Sequence, residues 1–123
     1  MSLKSDVLYE IQTTRHFFHR STRCLDESDS GFRATPETMT AAQHVAHTAQ
    51  TIDWVREGMF DDRWDMDFEK GAAVTESFTS LAAARKELDA AWERIQARVE
   101  ASNEEELASP LADNPILGVR PRH

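Results

Sequence analysis

Residues 81–99, LAAARKELDAAWERIQARV, carry the clearest structural pattern in the chain. Apolar side chains recur there at steps of three and four residues, which places them along one face of an α-helix and leaves the charges opposite. The members of this face are Leu81, Ala84, Leu88, Ala91, Ile95 and Val99, with Trp92 beside them. The pattern predicts a helix over about residues 79–101 that buries this face against other elements.

Two earlier segments show the same spacing, which predicts a helix near residues 3–25 and another near residues 36–57. The apolar faces are Val7, Ile11, Phe18 and Leu25 in the first segment, and Ala41, Val45, Ile52 and Val55 in the second. Thr35, Pro36 and Glu37 form a helix-start signal, since Thr caps free N–H groups, Pro suits the first position and Glu complements the dipole. Gly58 and the acidic residues after it predict the end of the second helix.

The remaining segments carry weaker signals. The stretch from Phe60 to Ser77 is acidic and predicts a long connection, in which Trp64 and Phe68 cover an open end of the bundle. Ser102 has capping-box spacing, which predicts one further turn through Leu107. The prolines that follow exclude a long helix and predict an extended tail over residues 108–123. Its apolar contacts are expected to be Leu111, Ile116, Leu117 and Val119.

The 123 residues, 40% of them apolar and 29% charged, suit one domain spanning residues 1–123. Its predicted class is all-α, an antiparallel helical bundle. Three amphipathic helices leave one side of such a core uncovered. Because a large exposed apolar groove is uncommon on a monomer, we expect a homodimer with twofold symmetry. The alternative is that Trp64 and Phe68 close the groove within one chain.

Charge and composition exclude several classes of protein. The net charge of −8, with no dense Lys/Arg cluster, argues against a nucleic acid partner. No segment reaches the roughly 20 apolar residues that span a bilayer, so no membrane association is expected. The single Cys24 lies in an apolar helical pattern and is expected to be a small packed residue in a reduced, cytoplasmic protein. Phosphate-binding Gly-rich loops, paired zinc-binding cysteines and Gly-flanked nucleophilic serines are missing from the sequence.

The residues with most chemical potential are histidines that lie three apart, a spacing at which two imidazoles on a helix can approach one metal ion. Arg15 and Arg20 flank the pair His16 and His19 and disfavour a cation there, so that pair is expected to be structural.

The second histidine pair is His44 and His47. Counted at about 100° per residue from Ile52, His44 falls at the edge of the apolar arc and His47 lies further towards the polar side. Periodicity alone therefore ranks His44 above His47 as a cleft residue. The alternative is that both imidazoles are solvated or partly packed.

Residues 35–60, TPETMTAAQHVAHTAQTIDWVREGMF, resemble the second-helix region of the DinB-like (YfiT-type, damage-inducible) metal-binding four-helix bundles. The family pattern is a His followed by small residues, with an aromatic residue seven positions later. His47, Thr48, Ala49 and Trp54 carry that pattern in this chain. The resemblance makes His47 the first metal ligand, with His44 beside it.

The resemblance also implies two further histidines, four apart, on a fourth helix, and these have no counterpart before His123. The fourth helix is therefore expected to be missing or truncated. The implied cofactor is a divalent metal such as zinc, nickel or iron, which some relatives use to activate a low-molecular-weight thiol. The implied activity is that of a metal-dependent thiol S-transferase or hydrolase. The alternative is a non-catalytic helical dimerisation or interaction module with incidental histidines.

Overall fold

The computed structural model of the protein describes residues 2–118 and 121–123. Five α-helices are found in this part of the chain: α1 Leu3–Thr22, α2 Ala41–Asp61, α3 Phe68–Glu76, α4 Leu81–Glu100 and α5 Glu104–Ala108. A short 3-10 turn, Glu27–Asp29, lies between α1 and α2. The only strand-like pairing among the described residues is an isolated bridge between Pro110 and Pro121. The predicted all-α class is confirmed.

The core is the contact between α2 and α4. Its buried members are Val45, Ala46 and Ala49 of α2 together with Leu81, Ala84, Leu88, Ala91 and Trp92 of α4. The α4 members are the apolar face read from residues 81–99. Alanines on both helices let the two backbones approach closely, and Leu88 is fully buried between them. The helix α1 flanks this pair through half-buried Ile11 and Phe18, and none of its own residues is fully buried.

Side chains from distant segments set the ends of α4 and α1. The backbone N–H of Leu81 donates to Ser30 Oγ at 2.8 Å, and that of Ala82 donates to a Glu27 carboxylate oxygen at 2.8 Å. These bonds satisfy free N–H groups at the start of α4. The Arg85 guanidinium donates to the carbonyl of Thr22 at 2.7 Å, which satisfies the last turn of α1 and lets it end three residues before the predicted residue 25.

The predicted start of the second helix at residue 36 is wrong. Thr35 and Thr38 instead close a single local turn, in which the Thr38 hydroxyl donates to the Thr35 carbonyl at 2.9 Å. The helix begins at Ala41 because Thr40 and Gln43 form a reciprocal capping box. The Gln43 N–H donates to Thr40 Oγ1 at 3.1 Å, and the Thr40 N–H donates to Gln43 Oε1 at 2.9 Å.

Of the residues predicted to end the second helix, Gly58 does not do so, because it lies inside α2 and is buried, whereas the acidic residues after it do mark the end. A Cβ on this residue would come within 2.4 Å of ring atoms of Trp64. The glycine is therefore required by the close approach of an indole ring rather than by a helix end. The helix ends at Asp61, and Asp62 takes the left-handed conformation with φ 53° and donates its N–H to the Glu57 carbonyl.

The segment from Phe60 to Ser77, which is predicted to be a long connection, contains the nine-residue α3. Asp67 caps that helix by accepting the N–H of Lys70 at 3.1 Å. Only Thr75 of α3 is buried, so the helix has no apolar stripe that periodicity would reveal. Of the two aromatic residues expected to cover an open end of the bundle, Trp64 packs against Trp54 and Gly58. Phe68 is 61% exposed and covers little of the bundle.

The C-terminal region contains α5 and an irregular tail. Asn103, rather than the expected Ser102, caps α5 by accepting the N–H of Glu106 at 2.8 Å. Among the expected tail contacts, Leu111 is buried, whereas Ile116 and Leu117 are exposed; Val119 lies outside the described residues.

Two further expectations concern the burial of Cys24 and the presence of membrane-spanning helices. Cys24 lies beyond the end of α1, and it is exposed rather than packed. No helix in the described part of the chain is both long enough and apolar enough to cross a membrane.

The contact between Gly58 and Trp64 predicts whether Gly58→Ala stabilises or destabilises the protein. Helix propensity alone favours Ala over Gly by about 1 kcal/mol, but the added methyl group meets the Trp64 ring. We expect Gly58→Ala to lower the free energy of unfolding by about 1–3 kcal/mol because the indole must move. In a Trp64→Ala background the same change should raise it by about 1 kcal/mol. Urea unfolding of the four proteins measures both effects, and stabilisation by Gly58→Ala with Trp64 present would contradict the contact.

A second prediction concerns the first turn of α1. The Glu104 carboxylate accepts the backbone N–H groups of Leu3 at 3.0 Å and Lys4 at 3.1 Å, so α5 caps α1. We expect Glu104→Ala to lower the free energy of unfolding by about 1 kcal/mol and to increase amide exchange in the first turn of α1. Glu105→Ala is the matched control, since Glu105 is equally near the start of α5. Equal effects of the two changes would rule out the cap.

Candidate functional site

A cleft of about 870 Å³ lies between α2, α3 and the segment that precedes α2. This volume falls within the range of small-molecule sites. Five residues of α2 line it: Gln43, His47, Gln50, Thr51 and Trp54. Their spacing of three and four places them on one face of the helix, about half a turn away from core residues such as Val45 and Ala49. The helix α2 therefore has a core face towards α4 and a cleft face on its other side.

The two candidate histidines of α2 occupy different positions. Both imidazoles are exposed, but His47 lines the cleft, whereas His44 is not among the lining residues. Helical periodicity favours His44 because the angle is measured from the core face of α2. The cleft lies on the opposite side of that helix. The family pattern, by contrast, pointed to the histidine that the cleft contains.

The far wall of the cleft is α3, which Gln50 holds in place. The Gln50 side-chain amide donates to the Gly71 carbonyl at 3.1 Å, and its oxygen accepts the hydroxyl of Thr75. Thr75 is the one buried residue of α3. The position of this wall therefore depends on a side chain one turn along α2 from His47.

The end of the cleft is built around Trp54. Its indole N–H donates to the Asp65 carbonyl at 2.7 Å, and its ring meets Trp64 edge-on at 4.8 Å between centroids. The Asp65 carboxylate pairs with the Lys70 ammonium at 2.9 Å. Lys70, together with the backbone N–H of Asp67, holds the pKa of the Asp65 carboxyl below its usual value, so this pair stays charged at neutral pH.

The charged residues of the cleft are mainly acidic. The lining includes Glu37, Asp65, Asp67 and Glu76, against Arg33 and Lys70. Within the described residues, however, no three His, Cys, Asp or Glu side chains come close enough together to hold a metal ion. A catalytic metal centre normally needs three protein ligands. The described residues of one chain therefore do not form a complete site of that kind.

Of the two histidines of α1, His19 contacts a carboxylate of α4, whereas His16 is exposed. His19 Nε2 lies 3.1 Å from a carboxylate oxygen of Asp89 on α4, and Arg15 Nη2 lies 3.3 Å from the same oxygen. This arrangement joins α1 to α4 across the edge of the core.

Several residues that line the cleft were not predicted from the sequence. Gln43, Gln50 and Thr51 lie three or four positions from His47, so a search for polar neighbours on its face would have found them. The residues contributed by α3 and by the loop before it carried no such signal, because that helix was not predicted.

The comparisons with known proteins add one finding. The chain matches no curated protein and no solved structure. The family model for the DinB superfamily matches residues 10–122, which include α2 to α5 entirely and most of α1. This match confirms the resemblance read from residues 35–60. The chain belongs to the DinB superfamily.

Proposed function

We propose that the cleft between α2 and α3 is the ligand-binding site of this DinB-superfamily protein and that His47 contributes one ligand to a divalent metal there. The observation that supports the proposal is the position of His47 in the cleft, on the same face of α2 as Gln50 and Trp54. A neutral imidazole suits zinc, nickel or iron, so the residue type does not select among these metals.

The walls of the cleft suit a small organic molecule. Trp54 and Phe68 supply aromatic surface, and Gln43 and Thr51 supply hydrogen-bonding groups on either side of His47. Small-molecule sites typically combine apolar walls with a few polar groups that orient the ligand. The cleft therefore has the size and composition to hold a metal-bound ligand rather than a bare ion.

One imidazole does not complete a coordination shell, so the remaining ligands must come from another molecule. We propose a low-molecular-weight thiol, whose thiolate is a good ligand for these metals, or a second copy of the chain. A bound divalent metal lowers the pKa of a thiol or water and supplies a nucleophile at neutral pH. The activity that would follow is thiol S-transfer or hydrolysis.

The second candidate function is a non-catalytic helical interaction module. The observation that favours it is that the described residues bring no three metal-binding side chains together. The cleft would then bind an organic ligand or a segment of a partner without metal. Metal titration separates the two candidates, because only the first makes His47 essential for a specific metal site.

A cytoplasmic location is part of the proposal. The single cysteine, Cys24, is exposed. An exposed thiol without a disulfide partner persists most readily in a reducing compartment.

A Zn²⁺ titration monitored by calorimetry tests the role of His47. It is carried out on the native protein, on His47→Ala and on His44→Ala. The two histidines lie one turn apart on α2, so His44→Ala is a matched control. We expect His47→Ala to weaken Zn²⁺ binding by at least about tenfold and His44→Ala to leave it nearly unchanged. Reduced glutathione should strengthen binding only where His47 is present, because the thiolate completes its coordination.

Two results would contradict the metal proposal. In one, His44→Ala abolishes binding while His47→Ala does not. In the other, both variants bind as the native protein does, which would favour the non-catalytic module. Circular dichroism of each variant shows whether the helical content of the protein is retained.

A further inference from the structure

The outer face of α1 exposes two large aromatic side chains. Tyr9 is 68% exposed and Phe17 is 63% exposed. With Thr13, His16 and Arg20 they form one face of the helix, called here the α1 outer face. A shallow groove of about 440 Å³ runs along it, lined by Tyr9, Gln12, Thr13, His16, Phe17 and Arg20.

This face points away from the core. At about 100° per residue, Tyr9 and Arg20 lie nearly opposite Ile11 and Phe18, which pack against the core. The exposure of the aromatics therefore follows from the way α1 docks on α4. Large aromatic side chains together on one exposed helix face are typical of protein interfaces.

The charges on α1 are arranged so that the face complements itself. Asp6 and Glu10 lie in its N-terminal half, and His16 and Arg20 lie in its C-terminal half. When two copies of such a helix pack antiparallel, the acidic half of each lies against the basic half of the other. Opposite charges then meet at both ends of the contact.

We propose that the α1 outer face is the interface of a homodimer, in which α1 packs antiparallel against α1 of a second copy about a twofold axis near Thr13. Thr13 is the midpoint between Tyr9 and Phe17. An axis there stacks Tyr9 of each copy on the partner's Phe17 and places Asp6 opposite the partner's Arg20. Thr13 is small enough for the two helices to cross closely at the axis.

The proposed face differs from the apolar stripes that first suggested a dimer. In the structure Val45, Leu88 and Val99 of those stripes are buried, and Ile11, Phe18, Ile52 and Ile95 are half-buried. The side of α1 that carries Thr14, next to those stripes, remains the competing location for a second copy.

Light scattering across a dilution series tests the association itself. We expect the mass to rise from 14.0 kDa towards twice that value as concentration increases. Phe17→Ser and Arg20→Glu should each raise the dissociation constant of the dimer, by at least about tenfold for Phe17→Ser. Phe32→Ser is the matched control, because Phe32 is 65% exposed but lies outside α1, and it should have little effect. A mass of 14.0 kDa at every concentration would overturn the proposal, as would equal effects of Phe17→Ser and Phe32→Ser.

Cysteine crosslinking tests the position of the axis. In a Cys24→Ser chain, Thr13→Cys should form a covalent dimer on mild oxidation, since the two Thr13 positions meet at the axis. Thr14→Cys, one residue further on, points towards the competing side and should form no covalent dimer. Crosslinking of Thr14→Cys without that of Thr13→Cys would overturn the α1 outer face as the interface.

Discussion

The rest of the structure depends on the close contact between α2 and α4. Ala46 and Ala49 bring little apolar area to it, but their small size lets α4 approach and bury Leu81 and Leu88 completely. Full burial of a leucine side chain contributes about 1.5–3 kcal/mol, several times what a methyl group adds. The alanines therefore act through the distance they permit. A larger residue in this row would separate the helices and expose the leucines that stabilise them.

The same helix supports the candidate site on its other face. Because α4 fixes one side of α2, the side chains on the opposite side project from a rigid element. The wall that faces them is held much more lightly: α3 is fastened mainly by Gln50, by its cap at Asp67 and by the loop around Trp54 and Asp65. A cleft with one rigid and one lightly held wall can admit a ligand and close on it without disturbing the core.

Long periodic apolar faces allow the helices and the fold class to be predicted from the sequence. Helix ends and single contacts, which depend on short or local interactions, are not predicted. The face of α4 is readable because its repeat spans five turns, and the class follows from three such faces. The start of α2 is misread because Thr35 and Pro36 give a start signal as clear as the capping box of Thr40 and Gln43. Gly58 is misread because its partner, Trp64, lies beyond the helix end. His47 is identified by the family pattern, whereas periodicity measured from the core cannot locate a cleft outside it.

Native-state hydrogen exchange tests most directly whether the α2–α4 contact is the unit on which the other elements depend. Core amides such as those of Ala49 in α2 and Ala91 in α4 are expected to exchange only through global unfolding. Amides of α3, such as Val74, should exchange at least about a hundredfold faster through local opening that leaves α2 and α4 protected. Protection of α3 equal to that of α2, or loss of α2 protection before that of α3, would contradict this expectation.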